Sequence, residues 1–139
     1  MAGANSELIR RAAEIFDEQG VEAWLEQCIH PDVVYVQDEA VIPDASTFHG
    51  HEGIRTAVSM WVEEFDEWQR SWHDFIDLDD GRVLLIWSDR GRGRLSGAWV
   101  ERPKIASVYT LRDGLIIYWF QYGDAETAFR ELGVTPPSG

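Results

Sequence analysis

Apolar residues recur along this chain at two spacings, and the change from one to the other divides it. Between residues 6 and 19, Leu8, Ile9, Ala12, Ile15 and Phe16 fall three and four apart and form one helical stripe, which Gly20 ends. Val21, Trp24, Leu25 and Cys28 repeat the pattern over two turns, up to His30-Pro31, because proline disfavours helical geometry in the residue before it. VVYVQ, Val33 to Gln37, is β-branched and aromatic and reads as a strand. It leads into DEAVIPDASTFHG, a loop rich in turn residues with enough apolar content to cover something. From His51 to Trp68 the helical spacing returns: Ile54, Ala57, Val58, Trp61, Phe65 and Trp68 share one face, while Glu63, Glu64 and Glu67 keep to water. Four β segments follow, at about 70–78, 82–94, 96–111 and 115–122. Asp79-Asp80-Gly81 and Arg112-Asp113-Gly114 punctuate them, and Asp-Gly suits the positive φ of tight hairpins. Asp124 then caps a short helix that turns Ala125, Ala128, Phe129 and Leu132 inward and closes at Gly133.

Helices first and a meander last predict a single α+β domain over residues 1–139, with an ordered core from about 6 to 134. In such a domain a curved antiparallel sheet wraps its concave face around the N-terminal helices and leaves a cone with an open mouth. Seven Trp, four Tyr and six Phe in 139 residues supply large rings for that interior, so an aromatic-lined cavity is expected.

The net charge of −13 repels nucleic-acid phosphates and anionic membrane surfaces, and no apolar run is long enough to span a bilayer. Neither nucleic acid nor membrane is therefore expected as a partner. Cys28 is the only cysteine, and the opening MAGANSELIR has neither an apolar stretch nor a cluster of positive charge, which together predict a reducing, cytoplasmic location.

DRGRGRLSG, from Asp89, stands out against this acidity. Six of the chain's basic residues lie between Arg82 and Lys104, against only Asp89 and Glu101. A phosphate loop would follow a strand and open a helix, whereas SGAWVE continues as another strand. Extended geometry puts Arg90, Arg92 and Arg94 on one face and Asp89, Gly91 and Gly93 on the other, where glycine permits a bend or a close approach. The arginines are then free to meet acids of neighbouring strands or of a partner subunit. His49-Gly50-His51-Glu52 falls short of a zinc ligand set and fits a turn, which leaves His49 as a residue of the pocket mouth. Asp77-Leu78-Asp79-Asp80-Gly81 lacks the acid spacing of a calcium loop. No metal is expected.

If the first strand alternates, Val34, Val36 and Asp38 share a face, and a carboxylate at the end of an apolar wall has its pKa raised toward that of a proton-abstracting base. A solvated turn acid is the other reading of Asp38.

The order of elements, HPDVVYVQD, FHGHEGI, GRGRLSG, LRDGLII and GDAETAFRELGV resemble the SnoaL-like and ketosteroid isomerase-like branch of the nuclear transport factor 2-like superfamily, from about Glu7 to Val134. The resemblance implies a cystatin-like, nuclear transport factor 2-like cone with a pocket for a small polycyclic or aromatic ligand, and frequent homodimerisation through the sheet. It implies no single reaction, since the superfamily holds isomerases, cyclases, dehydratases, epoxide hydrolases and non-catalytic binders. Val36-Gln37-Asp38 is similar to the isomerase segment that carries the general base. The isomerase's oxyanion tyrosine falls near Ala12 and its second acid near Ser107, and the aspartate of SnoaL-like cyclases falls near Gln121. None of these three residues is an acid.

Tyr109, Tyr118, Tyr122 and the indole of Trp119 are the substitute donors, with Tyr118 and Tyr122 on one face of their strand and Trp119 on the other. Asp38 as base with Tyr109 and Tyr122 as donors makes up the expected catalytic set. Trp24, Val36, His49, Trp61, Phe65, Trp87 and Trp119 make up the expected pocket. The expected function is binding of a small hydrophobic metabolite, and if the protein is an enzyme its chemistry is proton transfer by a cofactor-free isomerase, cyclase or lyase. The alternative is a non-catalytic ligand-binding or dimeric interaction module of the same fold.

Overall fold

The computed structural model describes residues 3–37 and 47–136, with the side chains of residues 61, 64, 102 and 103 excepted. The elements are α1 (Ala4–Gln19), α2 (Val21–Cys28), β1 (Ile29–Gln37), β2 (Thr47–His49), α3 (Gly50–Glu64), β3 (Phe65–Asp77), β4 (Val83–Gly93), β5 (Trp99–Arg112), β6 (Leu115–Tyr122) and α4 (Ala125–Leu132). One six-stranded sheet runs in the order β2-β1-β6-β5-β4-β3. It is antiparallel except where β1 lies parallel to β6. The curved sheet and four helices form the expected α+β cone. No helix among the described residues is long and apolar enough to cross a membrane.

Strand alternation divides the apolar residues between two cores. Val83, Leu85 and Trp87 of β4 point into the concave face with Ile105 and Tyr109 of β5 and Trp119 of β6, against Ile9, Trp24, Leu25 and Ile54 of the helices. Leu84 and Ile86 point the other way with Ala106, Val108 and Tyr122, under Ala125 and Ala128 of α4. A strand buried on both faces reads as a continuous apolar run, which is why β4 opens with VLLIW. Asp124 holds α4 in place, its carboxylate accepting from Thr127 N at 2.7 Å and Thr127 Oγ1 at 2.9 Å.

The structure departs from the periodicity at the end of the long helix. The apolar spacing predicts helix to Trp68, yet α3 stops at Glu64, and Phe65 is already extended at φ −125° and ψ 140°. Trp61, Phe65 and Trp68 fit a helical stripe, but Trp68, Arg70 and Trp72 also fit a strand, and pairing with β4 from Phe65 to Asp77 decides for the strand. Thr47–His49, read as loop, is a short strand on the edge of β1.

DRGRGRLSG forms the end of β4 and the hairpin into β5, and the expected division of faces is seen. Gly91 admits a close approach: a Cβ there would stand 2.7 Å from the ring of Phe65 and 2.9 Å from the carbonyl oxygen of Glu67. On the opposite face Arg90 lies 4.4 Å over the ring of Trp99, and Arg92 reaches Glu67 at 3.7 Å. Arg94 pairs with Asp66 at 3.6 Å and donates to the carbonyl oxygens of Val62 and Phe65. Arg92 and Arg94 thus offset acids of the neighbouring strand β3, and Arg90 packs on a ring of β5.

Candidate functional site

The concave face keeps a small cavity of about 50 Å³ between the sheet and α1 and α2. Its floor is buried: Trp24 from α2, Leu85 and Trp87 from β4, Tyr109 from β5 and Trp119 from β6. Its rim is partly exposed, formed by Phe16 of α1 and by Trp68, Arg70 and Trp72 of β3. Trp24 sits edge-on to Phe16 at 5.0 Å and to Trp119 at 6.0 Å, the geometry that the ring quadrupole favours. These contacts fix the floor.

Polar atoms in the floor are few and neutral. Trp87 Nε1 donates to Ser107 Oγ at 3.0 Å. Burial pushes the Tyr109 phenol far above the ordinary tyrosine range, against a weaker pull from its hydrogen bond with Ser107. Tyr109 therefore stays protonated across the physiological range and can serve a ligand oxygen as a donor, never as a base.

The rim carries the charge. Arg70 lies 4.7 Å over the ring of Phe16 and 4.2 Å over that of Trp68, and Arg70 Nε and Nη2 donate to Asp17 Oδ1 at 3.3 and 3.0 Å. Trp72 Nε1 donates to the other oxygen, Asp17 Oδ2, at 2.7 Å. One α1 carboxylate thus ties together two β3 side chains of the rim. Beside them Trp68 Nε1 donates at 3.0 Å to Asp89 Oδ2, a carboxylate that is only 6% exposed.

Past Trp119 lies a second polar group. Tyr35 donates to Gln121 Oε1 at 2.5 Å and accepts from Gln37 Nε2 at 3.3 Å. The ring of Tyr35 stacks between Trp119 at 3.9 Å and Phe48 at 5.6 Å, and Trp119 stacks in turn on Tyr109 at 5.7 Å. Phe48, Tyr35, Trp119 and Tyr109 are direct neighbours across β2, β1, β6 and β5, so the stack follows from register.

An α+β cone with an aromatic interior of this kind has relatives. The SnoaL-like domain family matches residues 9–119. The chain belongs to that family. No curated protein matches it in sequence. Among solved structures, TerC co-crystallised with polyporic acid is 24% identical over 94% of this chain and 98% of its own, with a TM-score of 0.71. A protein described as a SnoaL-like polyketide cyclase from Jannaschia sp. CCS1 is 15% identical over 99% of this chain and 98% of its own, TM-score 0.71. A protein of ketosteroid isomerase-like fold from Catenulispora acidiphila DSM 44928, in complex with trimethylamine, is 16% identical over 93% of this chain and 94% of its own, TM-score 0.68. At these identities the likeness shows the fold alone.

Within this SnoaL-like domain, Trp24, Trp87, Trp119 and Tyr109 come together at the cavity floor. Tyr122 does not join them: it shares parity with Tyr118, opposite to Trp119, and packs in the core under α4. Val36 also points away, because Val33 and Tyr35 are the inward residues of β1. His49 is exposed beside Val34 on β2, with only Phe48 of that strand turned toward Tyr35. Phe65 lies over Gly91, beyond the cavity lining. Asp38 and the side chain of Trp61 lie outside the described residues. Ala12, Ser107 and Gln121 are all buried, and Ser107 faces Gln121 across β5 and β6. His51, in the first turn of α3, contacts the carbonyl oxygen of Ile29 through Nε2 at 2.8 Å.

Nothing local in the sequence joins Asp17 of α1 to Arg70 and Trp72 of β3. The two-residue spacing of Trp68, Arg70 and Trp72 was the signal available for them. Asp89 was placed on the glycine face by parity, and nothing in the sequence marked it as buried.

Proposed function

We propose that this SnoaL-like domain binds a small, largely apolar aromatic metabolite on its concave face, with Tyr109 donating to a ligand oxygen. The observation that carries the reading is the buried floor of indoles, which Tyr109 joins with its phenol. An apolar pocket with few convergent polar groups is the usual form of a small-molecule site. The co-crystallisation of TerC with polyporic acid supports a ligand of this class.

Proton removal next to a carbonyl places charge on the carbonyl oxygen, and a donor already aimed there needs no reorganisation as that charge develops. Tyr109 fits that part because it is neutral and buried. A cavity of about 50 Å³ is below the size of a ligand site, so binding requires the partly exposed rim to swing outward. β3 is the sheet edge, free of a neighbour on one side, and can yield there.

The test is a tryptophan-fluorescence titration with 2-naphthol, anthraquinone and hydroxyanthraquinones, followed by chromatography of the mixtures after incubation. Quenching with saturation is expected, and Tyr109→Phe should weaken the oxygenated probes about threefold to tenfold, the worth of one neutral hydrogen bond. Absence of saturable quenching by every probe overturns the reading. Binding without turnover in the unsubstituted protein makes the domain a carrier or sensor of the ligand.

A further inference from the structure

Asp17, Arg70 and Trp72 make up a carboxylate receptor that the chain fills with its own side chain. Arg70 contributes two N–H donors and Trp72 one, and all three converge on the carboxylate of Asp17 at 2.7 to 3.3 Å. Arg70 is the only charged residue among the described residues lining the cavity. The two members of the pair are not equally fixed. The Arg70 side chain is 18% exposed and held between the rings of Phe16 and Trp68, whereas that of Asp17 is 37% exposed and comes from the solvent side. The cation belongs to the cavity wall; the anion is the replaceable partner.

Rings on two sides screen the guanidinium from water, which strengthens its attraction for any carboxylate that reaches it. The protein carries a net charge of −13, so an anion gains nothing from the surface at large and depends on this local cation. Resting on the aromatic-pocket reading above, we propose that the ligand class is an aromatic carboxylic acid. Its rings occupy the indole-lined cavity, and its carboxylate displaces Asp17 from Arg70 and Trp72. Asp17 is then a latch: it keeps the mouth closed until an equivalent carboxylate takes its place. Arg70 is the specificity-determining residue, and a neutral analogue of the same shape has to open the mouth without replacing the bonds it breaks.

The experiment compares 2-naphthoate with 2-naphthamide, matched in shape and differing in charge, by calorimetry and fluorescence on the full chain. The acid is expected to bind about tenfold or more tightly than the amide, the scale of a charge-assisted hydrogen bond. Arg70→Gln should remove that preference. Asp17→Ala should raise affinity for the acid and for the amide alike, several-fold, because both are spared the cost of opening the mouth, while Arg70 still favours the acid. Equal binding of acid and amide, with both variants indifferent, overturns the carboxylate receptor while leaving the aromatic pocket standing. Failure of both probes together with 2-naphthol overturns the pocket itself. A loss of affinity for both probes in Asp17→Ala makes the Asp17 contact a structural brace, and the latch fails.

Discussion

Replacing Gly91 by alanine adds one methyl group where the structure leaves no room for it. The new Cβ would stand 2.7 Å from two carbons of the Phe65 ring, Cγ and Cδ1, and 2.9 Å from the carbonyl oxygen of Glu67. Carbon atoms rest about 3.5–4.0 Å apart, so ring and strand would have to retreat by about 1 Å. The carbonyl belongs to β3 at an irregular step in its pairing with β4, and it cannot turn aside as a flexible side chain would. Gly91 is not among the glycines with positive φ, so the penalty is steric and owes nothing to backbone strain. Overpacking of this kind costs about 1–3 kcal/mol. Alanine returns about 0.4–1 kcal/mol by narrowing the unfolded ensemble, which leaves a net loss of roughly 0.5–2 kcal/mol. For a chain of this size that lowers Tm by roughly 2–10 °C. Urea unfolding and calorimetry measure it, and a cycle with Phe65→Ala isolates the ring, since contact pairs couple by about 0.5 kcal/mol or more. Gly97→Ala is the control: φ is +70° with nothing within 4 Å of the added Cβ, so its cost comes from backbone alone and ignores Phe65. An unchanged Gly91→Ala, or a loss identical with and without the Phe65 ring, would refute the packing argument.

Two further outcomes are expected. The buried Tyr109 phenol titrates well above an exposed tyrosine, so above the unfolded pKa of about 10 the unfolded state sheds a proton that the folded state keeps. Stability is therefore level below that pH and falls as pH rises through it; Tyr109→Phe should make the alkaline decline shallower in urea titrations, and an unaltered slope would count against the burial of this hydroxyl. Asp124→Ala removes the cap of α4 and should cost about 1 kcal/mol, within 0.5–2. Hydrogen exchange should show the loss first in α4, and uniform destabilisation would contradict a local cap.

The fold was legible because most of its signals are local. Asp-Gly hairpins, the Asp124 cap and the parity of β4 each depend on a few adjacent residues, and Asp113 and Gly114 do take positive φ. Parity also separated Tyr122 from Trp119, yet the sequence could not say which face was the inner one. On β1 the choice fell on Val36, whereas Tyr35 is the inward residue, because its hydroxyl finds Gln121 some 86 residues away in sequence. The mouth of the cavity was illegible for a similar reason. Asp17 and Arg70 meet across 53 residues, and Trp68, expected on the helix, joins Arg70 at the rim because β3 begins at Phe65, a boundary set by pairing with β4.

The stack of Phe48, Tyr35, Trp119 and Tyr109 has a spectroscopic consequence. Rings held nearly parallel couple their electronic transitions, and these four come from four different strands, so their near-ultraviolet circular dichroism reports strand register as well as compactness. A one-residue slip of β6 would turn Tyr118 or Phe120 inward and take Trp119 away from both of its stacked neighbours at once. The domain thus carries an internal gauge of correct pairing that needs no label. A loosened state with its helices intact would lose that signal while its far-ultraviolet spectrum stayed the same.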